Sequence, residues 1–431
     1  MRYEEFDYDP RTADECKEKS RVAQETEKPL EVFKSISVLQ DYVEFPDCYM
    51  TDVMHSFYEG PVQLDLKMIF ENKKLFSYMN SNILGFNSCL PADLSGRSLR
   101  FIDDLNNYKA REWKVMLLYV IVIFFNQAID CPVIVGPDPR ILKRQMLNIL
   151  QLVGAIIGLS LDSVTKETMK HSEKLMRKWF ADRDDLFKTI AGQKNPYTPK
   201  VHDLTHLIKQ TENHGPTQST SCFAGENIMG RSDDLVTAKD PDVVLKQIFR
   251  RSRECALVKQ WVCQKKEDPI LGDFINSIHK SDDFEGKATK IPATAMIAEQ
   301  LNKKFGLTSA KINRYKFKGS PFPGKLNNNA VCFYEKSDET GLQPARIEYI
   351  VQYNDKLYCQ VRNYETIPIW NKFFEKDELL SNPLSFPDYG IVVSQSSTPV
   401  IIEADRIKRK GFLVLSAKQY IIPLLHAFEH D

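Results

Sequence analysis

Lys200-Val-His-Asp-Leu-Thr-His-Leu-Ile208, followed by Gly215-Pro-Thr-Gln-Ser-Thr-Ser-Cys-Phe-Ala-Gly-Glu-Asn-Ile-Met-Gly230, is the stretch from which the rest of the chain is read. His202 and His206 stand one helical turn apart, the spacing of a zinc-binding pair. A Gly-Pro break follows, and then an acid, Glu226, beside Asn227 in an apolar frame. No Glu follows His202, so the metalloprotease pattern is absent. A third zinc ligand would have to come from Cys222 or His214, and packing of the two rings is the competing reading. Near a helix start Glu226 favours the helix dipole whether or not it binds a metal. Cys222, within Ser-Cys-Phe, reads as a buried small residue rather than a nucleophile.

The surrounding chain is that of a packed protein. Of 431 residues, 42% are hydrophobic and 11% aromatic, which excludes a disordered polyelectrolyte. The length predicts two or three domains. Basic and acidic residues number 58 each, so any nucleic-acid contact must come from local patches rather than overall charge. The apolar run Val115–Phe125 is shorter than the roughly 20 residues a bilayer demands, and a buried helix is expected there. No membrane partner is expected. Nine cysteines at irregular spacing, none in a C-x-x-C pair, predict free thiols in a reducing compartment, cytosol or nucleus.

Periodicity organises the chain into four parts. Residues 1–30 are charged and predict a flexible arm. Residues 31–265 are mainly helical. In that part Leu64, Met68 and Ile69 share a face, Ile141 to Leu161 forms a helix, and Met169 to Ile190 keeps amphipathic spacing. A further helix is expected from about Pro241 to Cys263, with Val244, Ile248, Cys255, Val258, Trp261 and Val262 as apolar members. Residues 266–311 read as a charged linker with room for a helix. From 312 to 431 short β-like runs take over: 330–334, 346–353, 356–362, 391–393, 399–402 and 411–415. Asn354-Asp355 between Tyr353 and Lys356 predicts a two-residue hairpin turn. Six such strands predict a small β-barrel.

Three segments together resemble one family. Phe45-Pro-Asp-Cys-Tyr-Met-Thr-Asp-Val-Met-His-Ser-Phe-Tyr-Glu-Gly60 is similar to its D-x-M-H…G motif. Tyr108-Lys-Ala-Arg-Glu-Trp-Lys-Val-Met-Leu-Leu-Tyr-Val120 resembles its E-W-(R/K)…L-L-Y helix, and the 200–230 stretch resembles its N-V-H-x-L-x-H-L…S-C-F-x-F-E segment. Arg406-Ile-Lys-Arg-Lys-Gly-Phe-Leu-Val-Leu415 is similar to its β-rich tail. The family is the transposon-derived proteins of animal genomes related to CACTA (En/Spm)-type DNA transposases, and the likeness runs from about residue 35 to 431.

What the resemblance implies is an α+β chain: a ribonuclease-H-like, mainly helical transposase remnant followed by a small β-barrel. It also implies a metal site. Transposases of this class hold two Mg2+ or Mn2+ ions with acids, so that attacking and leaving oxygens are both neutralised. By resemblance Asp52 and His55 match the D-x-x-H element and Glu226 the last catalytic acid, which makes Asp52, His55 and Glu226 the expected metal ligands. Read from its residues alone, Asp52 is first a helix cap. The first acid should precede Asp52 on a strand, yet the chain there is a charged arm with one apolar patch (Val32, Phe33, Ile36, Val38, Leu39). Gln218 stands where the family has an aromatic, and Asn227 follows Glu226 directly. Cleavage is therefore not expected.

Two basic features are candidates for nucleic-acid contact. Lys246, Arg250 and Arg253, with Arg251 beside them, place cations at i, i+4 and i+7 of a helix, where the alternative is a solvated face. Arg406, Lys408, Arg409 and Lys410 form a run between two predicted strands, readable as an import or nucleic-acid patch or as protection of an edge strand. Tyr334, Tyr349, Tyr353, Tyr358, Tyr364 and Trp370 could line an aromatic cage, with barrel core as the simpler reading. The expectation is a non-catalytic nuclear protein that binds DNA, chromatin or a protein partner. The rivals are a residual metal-dependent nuclease or transposase using Asp52 and Glu226, and a protein-only scaffold.

Overall fold

A computed structural model of the chain describes residues 6–7, 11–31, 33–43, 48, 50–91, 98–135, 139–161, 163–188, 197–223, 290–291, 312–313, 331–336, 341–353, 356–370, 389–416 and 418–425, with scattered positions from 226 to 257. The described helices are α1 (Ala13–Thr26), α2 (Pro61–Ile69), α3 (Lys73–Cys89), α4 (Ala110–Val115), α5 (Ile121–Ala128), α6 (Pro132–Val135), α7 (Arg140–Leu159), α8 (Lys166–Arg183), α9 (Pro199–Thr205) and α10 (Leu207–His214). The described strands are β1 (Lys290–Ile291), β2 (Ile312–Asn313), β3 (Val331–Glu335), β4 (Leu342–Tyr353), β5 (Lys356–Pro368), β6 (Gly390–Gln395), β7 (Val400–Glu403), β8 (Ile407–Leu415) and β9 (Gln419–Pro423). The architecture is α+β, with helices in the N-terminal part and an antiparallel barrel at the end. Among the described residues of 31–265 there is no strand of the kind a ribonuclease-H-like sheet would need. Of the expected linker 266–311, only Lys290–Ile291 is described, as a strand.

The chain forms two compact units. The first comprises Met1–Asn72, Lys109–Trp113 and Asp138–Cys222; the second comprises Lys73–Tyr108, Lys114–Pro137 and Phe223–Asp431.

In the first unit, α1 occupies the segment expected as a flexible arm. A capping box starts it: Thr12 Oγ1 accepts from the Glu15 backbone N–H at 3.2 Å, and the Glu15 carboxylate accepts from the Thr12 N–H at 3.0 Å. Its inward stripe is Cys16, Ser20 and Ala23, with Cys16 and Ala23 packed on Phe33. This stripe is three small residues set among many charges, which is why the segment reads as an arm. Ile36, Val38 and Leu39 of the expected apolar patch are exposed, and Val32 lies outside the described residues. In α2 the buried positions are Pro61, Val62, Asp65, Leu66, Met68 and Ile69. Leu64, expected on that face, is exposed, because at 100° per residue it falls nearly opposite the 62–66–69 row.

Helices α7 and α8 stand where periodicity predicts them, although Ile190, expected at the end of the second, lies outside the described residues. They approach closely at Gly158, where an added Cβ would meet Ser172 Oγ at 2.3 Å. Asn148 Nδ2 donates to the Trp179 carbonyl at 3.0 Å across the same interface. Arg183, at the end of α8, forms a two-pronged pair with Asp65 of α2, with Nη2 2.7 Å from Oδ1; the side chains are 2% and 0% exposed. The guanidinium also lies over the rings of Trp179 and Phe187, 5.5 and 5.2 Å from their centroids. Burial pushes the Asp65 carboxyl up, and Arg183 draws it only partly back.

In the second unit β4, β3, β8, β9, β6 and β5 pair in that order, and β5 returns to β4, closing a six-stranded ring. β2 extends β4 at Val351 with β1 beside it, and β7 lies along β5. Tyr353 pairs with Lys356 across the expected two-residue hairpin; Asn354 and Asp355 themselves lie outside the described residues. Alternation sends Cys332, Tyr334, Ala345, Ile347, Cys359, Val361 and Ile402 into one core cluster. β9 was not among the expected strands. The basic run is also corrected: Lys408, Arg409 and Lys410 lie within β8, not between strands.

Helical residues belong to this unit too. Met116–Val120 and α5 are almost wholly buried, in keeping with the expected interior helix. Tyr119 Oη accepts from Leu425 N at 3.0 Å and donates to its carbonyl at 3.1 Å. Tyr389 Oη donates to the Leu118 carbonyl at 3.0 Å, and Tyr420 Oη to Asn126 Oδ1 at 3.3 Å. No helix among the described residues is long and apolar enough to cross a membrane.

Candidate metal centre

The D-x-M-H segment and the Ser-Cys-Phe segment, 170 residues apart, come together in the first unit. Asp52 precedes the turn Met54–Tyr58, and its carboxylate catches the first free N–H groups: Oδ1 accepts from Met54 N at 3.0 Å and Oδ2 from His55 N at 3.2 Å. Oδ1 also accepts from Cys222 N at 2.9 Å, and Oδ2 bonds His55 Nδ1. Burial would raise the Asp52 pKa, but the Cys222 and Met54 N–H groups and His55 outweigh it and hold the carboxyl below its ordinary value. Asp52 is thus a cap, and the same cap ties down the Cys222 turn. The flanking residues secure this placement. Thr51 N donates to Gln210 Oε1 at 2.6 Å, and Gln210 Nε2 returns a bond to Thr51 Oγ1 at 3.1 Å. Lys200 Nζ donates to the Glu59 carbonyl at 2.8 Å.

Among the described residues, Asp52, His55 and Cys222 form a group able to hold a metal, each offering one donor atom and all three atoms lying within 4.8 Å of one another. Asp52 is 15% exposed and His55 50%, and Cys222 is exposed, which corrects its reading as a buried small residue. The donors are one carboxylate, one imidazole and one thiol. Two Mg2+ or Mn2+ ions require a set of hard oxygen ligands, and this set does not fit them. Glu226, expected as a ligand, is an exposed helical residue of the second unit and is not in the group.

His202 and His206 lie together at the end of α9, Nε2 to Nε2 3.2 Å, with ring centroids 4.8 Å apart. Neither Cys222 nor His214 joins them as a third ligand. Burial lowers the pKa of both rings, that of His206 to about 4 with His202 adding to the effect.

The basic candidates lie in the second unit. Lys246, Arg250 and Arg253 are exposed helical positions, while Arg251 is half-buried. Arg250 Nε pairs with Glu254 at 2.9 Å. Pro241, Ile248, Cys255, Val258, Trp261 and Val262 lie outside the described residues. In the other patch Arg406 bonds the Glu335 carbonyl and lies over the Tyr334 ring, and Lys408 sits 3.4 Å from the Glu335 carboxylate. Arg409 and Lys410 are half-buried. Of the aromatics considered as a cage, Tyr334, Tyr358, Tyr364 and Trp370 are buried in the barrel unit, while the side chains of Tyr349 and Tyr353 lie outside the described residues. The part of Cys222 in the group was not legible, because its approach to Asp52 is tertiary and no local spacing announces it.

Compared with known proteins, the chain matches no family model, no curated protein and no solved structure.

Proposed function

We propose that the chain is a transposase-derived protein that binds DNA or chromatin in the nucleus and does not cleave DNA. The observation that carries the binding is the exposed row Lys246, Arg250 and Arg253 at helical spacing. Two further features support the reading. The two segments that resemble the transposase signature, at Asp52 and Cys222, are packed together. Among the described residues, the metal-capable group contains a single carboxylate, whereas two-metal phosphodiester transfer uses several.

A protein-only partner is the second reading, favoured by the zero net charge and by the pairing of Arg250 with Glu254 and of Lys408 with Glu335. Salt titration of binding to duplex DNA separates the two. If the cation row is used, affinity falls steeply with salt, and Lys246→Ala/Arg250→Ala/Arg253→Ala reduces the slope by up to about three units. No binding at low salt, or a slope untouched by the triple variant, defeats the DNA reading. Manganese-dependent nicking of plasmid DNA by the wild type defeats the non-cleaving part.

A further inference from the structure

We propose that Asp52, His55 and Cys222 form a transition-metal site, filled by zinc, that clips the Cys222 turn to the Met54–Tyr58 segment. This goes beyond the DNA-binding reading and does not depend on it. The donor chemistry selects the metal. A thiolate beside an imidazole and a single carboxylate suits a borderline-soft cation and disfavours magnesium, which takes oxygen ligands in octahedral geometry.

The geometry is within reach. With metal–ligand bonds of about 2.0–2.3 Å, the donors of a tetrahedral zinc ion sit roughly 3.3–3.7 Å apart. The three donor atoms here already lie within 4.8 Å of one another, so side-chain movements of about 1 Å close the site. The backbone needs no such movement. Cys222 N is already bonded to Asp52 Oδ1 at 2.9 Å, and His55 N to Asp52 Oδ2 at 3.2 Å, so both ligand-bearing segments are held before any metal arrives. His55 and Cys222 are exposed, which leaves an entry path and a fourth position for water. Binding replaces the His55 Nδ1–Asp52 Oδ2 hydrogen bond, or turns the other ring nitrogen to the metal, and it releases the Cys222 thiol proton. Affinity therefore rises with pH.

The test uses Co2+ as a spectroscopic stand-in, added to the full chain after chelator treatment. One equivalent should bind saturably with a near-ultraviolet thiolate-to-cobalt band, and zinc should bleach that band while a large excess of Mg2+ should not. Cys222→Ser should abolish the band, and His55→Ala should weaken binding at least tenfold. Both side chains are exposed, and far-ultraviolet circular dichroism of the metal-free variants checks that the fold survives. Cys222→His restores a ligand, so it should recover stoichiometric zinc binding without the thiolate band. The proposal is overturned by absence of saturable cobalt binding, by a thiolate band that persists in Cys222→Ser, by displacement with Mg2+, or by binding lost only in His206→Ala.

Discussion

Replacing Arg183 alone should do more damage to the first unit than replacing Arg183 and Asp65 together. The side chains are 2% and 0% exposed and meet through two hydrogen bonds, so each charge has exchanged water for the other. Removing one partner of such a pair leaves an uncompensated charge in the interior, at a cost of about 3–5 kcal/mol. Arg183→Met and Asp65→Ala should each lose that amount. The double variant leaves no orphan charge and should lose only about 1–3 kcal/mol, from the small cavity at Asp65 and the missing stack on Trp179 and Phe187. The coupling should then be on the order of 3 kcal/mol or more. Urea denaturation followed by circular dichroism measures it, and each single variant should melt roughly 6–20 °C lower for a unit of this size. The single Arg183→Met variant also carries a pH signature. Without its cation the buried Asp65 carboxyl rises further above its unfolded value, so the folded state retains a proton that the unfolded state has lost. Stability is then fullest below about pH 4 and declines as pH rises toward the elevated folded pKa. Losses that simply add, with coupling under about 1 kcal/mol, would refute the buried-pair reasoning.

Acid should weaken the same unit through His206. Its folded pKa of about 4 lies below the ordinary 6.5, so its contribution is complete above pH 6.5 and is lost as pH falls toward 4. The loss is about 2 kcal/mol once partial exposure is allowed for; thermal melts at pH 7.5 and 5 should show it, and His206→Gln should flatten the difference. Among the cysteines of the described residues, thiol labelling should begin at exposed Cys222. Buried Cys332, raised well above its usual value, and Cys359, pushed up to about 12 by burial, should react only in denaturant. Labelling of Cys332 or Cys359 ahead of Cys222 in the native protein, read by peptide mapping, would contradict this order. Gly411→Ala should destabilise the barrel by about 1–3 kcal/mol, because a Cβ there would meet the Phe333 ring at 2.5 Å and the Ile422 carbonyl at 2.8 Å. The same assay on Leu415→Ala, an exposed site on the same strand, should stay within about 0.5 kcal/mol of wild type.

Elements whose apolar residues recur at full helical or strand period were legible in the sequence: α7, α8, the buried run around Tyr119, and the hairpin that turns between Tyr353 and Lys356. α1 escaped because small residues face its interior and salt-bridged side chains cover the rest. β9 escaped because Gln419–Pro423 is an apolar run with no alternation to mark it. The basic stretch Ile407–Lys410 was excluded from its strand because its charges masked the pairing with β3. At the candidate centre, Asp52 could be read as a cap from its place before a helical turn, and the structure shows it capping. Its neighbour Cys222 could not be read, since nothing along 170 residues of intervening chain encodes their meeting.

The tyrosine tethers of the second unit also have a meaning in time. Tyr119 and Leu425 are 306 residues apart, and Asn126 and Tyr420 nearly as far. At about 5–20 residues per second, a ribosome needs roughly 15–60 s to deliver the barrel strands that this helical segment is built to meet. Throughout that interval one of the most apolar segments of the chain is without its final partners. A newborn chain of this design is a long-lived client for any chaperone that shelters exposed hydrophobic helices, and its yield in a cell depends on that waiting period as much as on the stability of the finished fold.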